Sequence, residues 1–216
     1  MSRPRIRTPG TNEEWTPMTA SPPTTGASSG LPWSADRPVL PLLDLKGAVG
    51  ERVRGLGAKQ VNLYRSLAHA PDLLSAWMDW AWALRERCDT PRALRETMIL
   101  RTAVVMRSEY EWQQHVAMAR NAGVSDEKIR SVAAWQASDR YEPAERAALM
   151  LTDAMLTGNV PDGVHAELAQ HFTDSERVEL VLTAGFYAMV PRVLDACRVP
   201  VEGNEQAGLY QLEERA

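Results

Sequence analysis

From residue 38 onward the chain is punctuated as one helix after another, and this restricts its fold more than any other feature. No alternating strand pattern occurs there. The only hairpin-type dipeptide, Asp162-Gly163, falls inside a helical pattern. Helix starts are written in prolines and polar caps. Pro71 opens Asp72 to Cys88, and Thr90-Pro91 opens a segment running to about Arg107. A helix from Glu109 to Ala122 follows and is terminated by Gly123. Ser125, with Asp126 and Glu127 behind it, caps a short helix to Trp135. Pro143 opens Ala144 to Leu156, ended by Gly158, and Pro161 opens a helix to about Phe172. Thr173-Asp-Ser-Glu176 is a capping box for a last long helix, Asp174 to about Cys197. The pattern predicts an all-α domain over residues 38–216.

Residues 1–37 read differently. Twenty of the 37 are Gly, Pro, Ser or Thr, and the apolar residues among them have no period. Such a segment buries too little surface to offset its ordering entropy, so a disordered or loosely docked tail is expected. Trp15 and Trp33 are its two candidates for docking. Arg3, Arg5 and Arg7 are not followed by an apolar segment, so no secretory signal is predicted and a cytoplasmic location is expected.

Charge and apolar runs exclude several partners. The net charge is −4, of which the tail supplies +1, and the remainder has no basic stripe or Lys/Arg run. Nucleic acid is therefore not an expected partner. The longest nearly unbroken apolar stretch, Leu180 to Val190, is shorter than the roughly 20 residues that cross a bilayer, so no membrane is expected either. Being apolar nearly all round, that stretch predicts full burial in the core or at a subunit contact. Pro191 inside it predicts a kink near Tyr187. Cys88 and Cys197 form no CxxC pair and are expected as two buried reduced thiols.

The residues able to do chemistry lie in the middle of the chain. Ser108, Glu111 and His115 fall on one helical face, and Glu96 lies in the preceding apolar segment. Almost nothing separates the two segments, so an antiparallel hairpin would put Glu96 about 15 Å and His115 about 10 Å from the turn, close enough to meet. A carboxylate beside an imidazole fixes its tautomer and favours the protonated ring. Glu111, one turn from His115, would share the site or repel Glu96. Two carboxylates in one apolar pocket split their pKa values, which separates an acid from a base.

Each residue also has a plainer reading. His115 could satisfy a core hydrogen bond. Glu96 could pair with Arg95 or Arg101, and Tyr110 and Trp112 could be core aromatics. Ser108 is well placed as an N-cap. Only His115 and Glu111 have a metal-like spacing, so no metal is predicted. His69, His165 and His171 carry no motif, and no phosphate loop, GxSxG or HExxH is present.

Leu94-Arg-Glu96-Thr-Met-Ile-Leu100, then Ser108-Glu-Tyr-Glu111-Trp112-Gln-Gln-His115-Val-Ala-Met-Ala119 and Gly123-Val-Ser-Asp, resembles the carboxymuconolactone decarboxylase family, whose superfamily includes the alkyl hydroperoxidase D-like proteins. The resemblance extends over roughly residues 58–202. It implies a compact bundle of about six to eight helices assembling as a homo-oligomer, a trimer or hexamer. In the hydroperoxidase branch a Glu, a CxxC pair and a His stand at this spacing. Here Ser108 and Glu111 occupy the cysteine positions, while Glu96 and His115 keep theirs. Asp195 stands where the family's last helix often has asparagine.

The decarboxylase branch implies a cofactor-free lyase acting on a small carboxylated or lactone-like molecule. Glu96, Glu111 and His115 are its expected catalytic residues. Ser108, Trp112, Tyr187, Arg101 and Arg192 are the expected substrate-binding residues, with Arg107 a further candidate for the substrate carboxylate. Isomerisation or ring chemistry by the same acid–base pair remains open. So do a thiol-dependent antioxidant using Cys88 or Cys197, and a binding protein that has lost the chemistry.

Overall fold

In the computed structural model, residues 39–56 and 61–202 are described, and they are helical throughout their regular structure. In chain order the helices are α1 (Gly47–Gly55), α2 (Asn62–Leu67), α3 (Pro71–Glu86), α4 (Arg92–Val105), α5 (Glu109–Asn121), α6 (Asp126–Ser131), α7 (Pro143–Thr157), α8 (Asp162–His171) and α9 (Asp174–Cys197). A 3-10 turn, Val132–Ala137, follows α6. The expected tail, residues 1–37, lies outside the described residues.

The middle helix, α4, organises the rest. Every residue from Leu94 to Leu100 is buried, because α4 packs against α5, α7 and α9 at once. Its side chains join three apolar clusters. Ile99 packs with α3 and α9 residues such as Leu74, Met78, Phe186 and Tyr187. Leu100 and Ala103 join Trp112, Val116 and Trp135, and Leu94 and Met98 join Leu151, Leu168 and Leu180. Burying one such Leu or Ile is worth about 1.5–3 kcal/mol. A polar residue on this helix is enclosed as thoroughly as an apolar one.

Cap chemistry explains the boundaries. Thr173 and Glu176 form the predicted capping box of α9, and Glu142 with Glu145 form another at α7. Gly158 ends α7 in the left-handed conformation. The α4–α5 turn uses a non-glycine residue for the same purpose. Arg107 has φ 53°, its N–H reaches the Val104 carbonyl at 3.1 Å, and the Ser108 N–H reaches that of Ala103 at 2.8 Å. This is a Schellman closure, and Ser108 at once caps α5 by accepting from the Glu111 N–H at 3.4 Å.

Three expectations change. The described residues hold nine α-helices rather than six to eight, since α1 and α2 are short extra helices. The segment after Ser125 also breaks into α6 and a 3-10 turn, where the Val132 and Ala133 carbonyls accept from Arg101 Nη1 at 3.3 and 2.8 Å. The apolar run in α9 is not enclosed all round. Leu180, Ala184 and Val190 are buried, but Val181 and Leu182 are 37% and 43% exposed, because the bundle covers only one side of this outer helix. By length and composition α9 is also the one described helix that could cross a membrane, and its inward stripe is committed to the core. Pro191, where the sequence predicts a kink, lies inside α9, which spans Asp174 to Cys197.

Candidate functional site

The short α4–α5 turn folds the two helices back on each other and brings Glu96 to His115. Glu96 Oε2 and His115 Nδ1 are 2.8 Å apart, with Glu96 fully buried and His115 4% exposed. Glu96 also accepts from Arg92, one turn earlier on α4, at 2.8 Å through Nε and again through Nη2. The carboxylate is thus held on two sides. His115 Nδ1 is committed to it, which leaves Nε2 as the working nitrogen.

Nε2 faces a second acid. Glu111 Oε2 lies 3.6 Å away, beyond hydrogen-bond distance, and that oxygen is buried without a hydrogen-bond partner. The two carboxylates flanking one imidazole are driven apart. Burial alone would push Glu96 up, but the charge and hydrogen bond of His115, followed by those of Arg92, hold it below the usual carboxylate range. Burial pushes Glu111 up, only partly opposed by His115, and the charge on Glu96 raises it further. The environment therefore favours an ionised Glu96 and a protonated Glu111.

Aromatic residues close the site. Tyr187 of α9 meets His115 edge-to-face, with ring centroids 5.1 Å apart and planes at 88°. Burial, and next the charge of Glu96, push its hydroxyl well above the ordinary tyrosine value. Tyr64 of α2 is raised likewise, mainly by burial. Tyr110, beside Glu111, ties the first turn of α5 down. Its hydroxyl donates to Glu202 at 2.6 Å and accepts from the Leu63 N–H at 3.1 Å. Glu202 also accepts from the Asn62 N–H at 2.5 Å and from Gln114.

The structure thus assembles Glu96, Glu111, His115 and Tyr187, with Ser108 as the cap of their helix. Trp112 lies on another face of α5, buried beside Leu100, Ala103 and Val116. Arg101 is engaged elsewhere, with Nε and Nη2 clasping Asp153 at 2.6 and 3.0 Å. Arg192 and Asp195 are exposed on α9, Arg192 donating to the Ala188 carbonyl, and Arg107 is the exposed turn residue. Arg95, expected near Glu96, turns to Thr90 and to the Arg85 carbonyl.

Sequence reasoning missed Arg92, whose i, i+4 spacing to Glu96 was the available signal. It also missed Arg85 and Tyr64, for which no local signal exists. Cys88 and Cys197 are free thiols. Cys88 is partly buried, and burial pushes its thiol up, away from the reactive thiolate.

Residues 71–154 match the model of the Carboxymuconolactone decarboxylase family, a stretch that contains Glu96, Glu111 and His115. The chain is similar to the uncharacterised protein YdfG of Bacillus subtilis, with 27% identity over 116 residues, covering 52% of this chain and 78% of YdfG. Among solved structures, it resembles the alkylhydroperoxidase AhpD core of a peroxidase-related protein from Ralstonia eutropha JMP134. The TM-score there is 0.64 at 20% identity, covering 75% of this chain and 90% of that one. It also resembles the debrominase Bmp8 in complex with 2,3,4-tribromopyrrole, with TM-score 0.65 at 18% identity, covering 77% of this chain and 95% of that one. The fold is therefore of the all-helical AhpD-like type.

Proposed function

We propose that the chain is a cofactor-free, thiol-independent acid–base enzyme, a decarboxylase-like lyase acting on a small carboxylated or lactone-like molecule. One observation carries this reading. His115 is oriented through Nδ1 by a buried carboxylate, while Nε2 is left facing Glu111 Oε2, a buried oxygen without a hydrogen-bond partner. In such a reaction the bond to the carboxyl carbon breaks and CO2 leaves. The electron pair passes into an adjacent carbonyl-conjugated system, and the carbon left behind takes a proton. His115 Nε2 delivers that proton, Glu96 stabilises the imidazolium that precedes delivery, and Glu111 resupplies the ring.

Ser108 and Glu111 stand where the thiol branch of the resembled family has its cysteines, which supports a thiol-independent route. The peroxidase-related and debrominase neighbours are alike in fold, at identities that carry no shared activity. The test is CO2 release from a panel of carboxylated lactones in deuterated water. Wild type is expected to release CO2 and to leave deuterium on the product carbon, with both lost in His115→Ala. Deuterium exchange without CO2 release would move the assignment to an isomerase. Neither signal with any member of the panel would overturn enzymatic acid–base chemistry.

A further inference from the structure

The last turn of α3 delivers a guanidinium that lacks an anion. Arg85 is half-buried over the Trp82 ring, 4.7 Å from its centroid, and its Nη2 approaches the Met118 sulfur at 3.7 Å. Its Nε is buried without a hydrogen-bond partner. Among the described residues, no carboxylate lies within ion-pair distance of it.

Its place in the fold gives this a meaning. Glu111, His115 and Met118 follow at i, i+4 and i+7 on α5, which makes them one stripe. Arg92 reaches the same Met118 sulfur at 4.0 Å while it holds Glu96. Arg85 therefore reaches Met118, the residue one helical turn beyond His115 on the stripe. Its charge is felt by Glu111, Tyr64 and Tyr187.

Arg101 shows what the same edge of a guanidinium does when its anion is present, since Nε and Nη2 take the two oxygens of Asp153. In Arg85 that edge meets only a thioether, a weak acceptor on a flexible chain. A buried N–H without an acceptor is costly even on a half-buried guanidinium, and a planar carboxylate satisfies both N–H groups together.

We propose that Arg85 holds a carboxylate of the substrate through its Nε/Nη2 edge, with Met118 moving aside and Trp82 backing the guanidinium. The assignment rests on the acid–base reading for its direction, which runs along α5 from the held carboxylate to a reacting carbon at His115. The held group is a handle and not the group lost as CO2, because pairing with a guanidinium stabilises the charge that decarboxylation must disperse.

Benzoate and sorbate are suitable probes, titrated into the full chain by calorimetry with tryptophan fluorescence as a second readout. Wild type is expected to bind them, Arg85→Gln to weaken binding by about ten- to a hundredfold, and Arg85→Lys to recover only part of it. Arg192→Gln should bind as wild type does, and benzamide should not bind. Absence of carboxylate binding by wild type, or equal binding by R85Q and wild type, overturns the assignment. Inorganic phosphate competing as strongly as benzoate does so too, because the site would then read charge and not a planar fork. Carboxylate binding lost in R85Q, in a protein that transfers no proton, would sink the acid–base reading alone. Turnover with unchanged KM in both Arg85 variants would sink this one alone.

Discussion

Two ionic clusters grow from α4, and they differ in what they leave unmade. Around Arg101, Asp153 accepts from the guanidinium, from Trp135 Nε1 at 3.0 Å and from Gln136 at 3.0 Å, while Arg101 also takes two backbone carbonyls. Around Glu96, one carboxylate is doubly held, but Glu111 Oε2 and Arg85 Nε are buried with no partner. A closed network fixes structure. An open one is costly to keep in a folded core, and here it is where the proposed substrate would complete the set.

The largest effect separating the clusters should be on turnover. Glu96→Gln keeps the size of the side chain but withdraws the charge that orients and stabilises His115. Turnover is expected to fall by about 10²- to 10⁴-fold with the fold intact by circular dichroism. Asp153→Ala should do the reverse. It strands a largely buried Arg101 and costs about 2–4 kcal/mol in urea unfolding, leaving kcat/KM of the folded protein near wild type. If Asp153→Ala abolished turnover in the folded state, the division between a structural and a chemical cluster would fail.

Stability against pH sharpens the comparison within the site itself. Glu96 is lowered on folding, so its contribution is present above the ordinary carboxylate value of about 4.3 and is lost as pH falls through the folded value. Glu111 is raised, so its contribution is full below about 4.3 and is lost as pH rises through its folded value. Urea midpoints across that window should show Glu111→Gln gaining on wild type as pH rises. Glu96→Gln should lose ground on wild type as pH rises toward about 4.3, below the range in which Glu111 acts. Slopes of the same sign for both variants would contradict the split between the two acids.

The smallest effect belongs to the turn that positions everything else. Arg107 adopts a left-handed conformation that costs a side chain about 1 kcal/mol, so Arg107→Gly should raise the unfolding free energy by about that much. Activity should be unchanged, because Arg107 is exposed and touches none of the site acids. A loss of stability would show that its side chain has a role which the geometry of the turn does not reveal.

Local signals made much of this legible. The prolines at 71 and 143, the capping box at Thr173 and Glu176 and the glycine at 158 stand where helices begin or end. The spacing that predicts a meeting of Glu96 and His115 works because a three-residue turn leaves two antiparallel helices little freedom of register. The same reasoning did not foresee that Arg101 would clasp Asp153 of α7, since a guanidinium's partner depends on which helix packs opposite it. It also misjudged α9, whose composition tells how apolar its faces are but not how many of them the bundle covers.

Helix identity, the caps and the proximity of one acid to one imidazole were set by residues close in sequence, where backbone geometry leaves few alternatives. Tertiary packing decided that Tyr187 would cross His115, and that Arg85 of α3 would reach Met118 of α5 with its Nε unpartnered. Those contacts join separate helices, and their energies depend on burial, which no local pattern encodes.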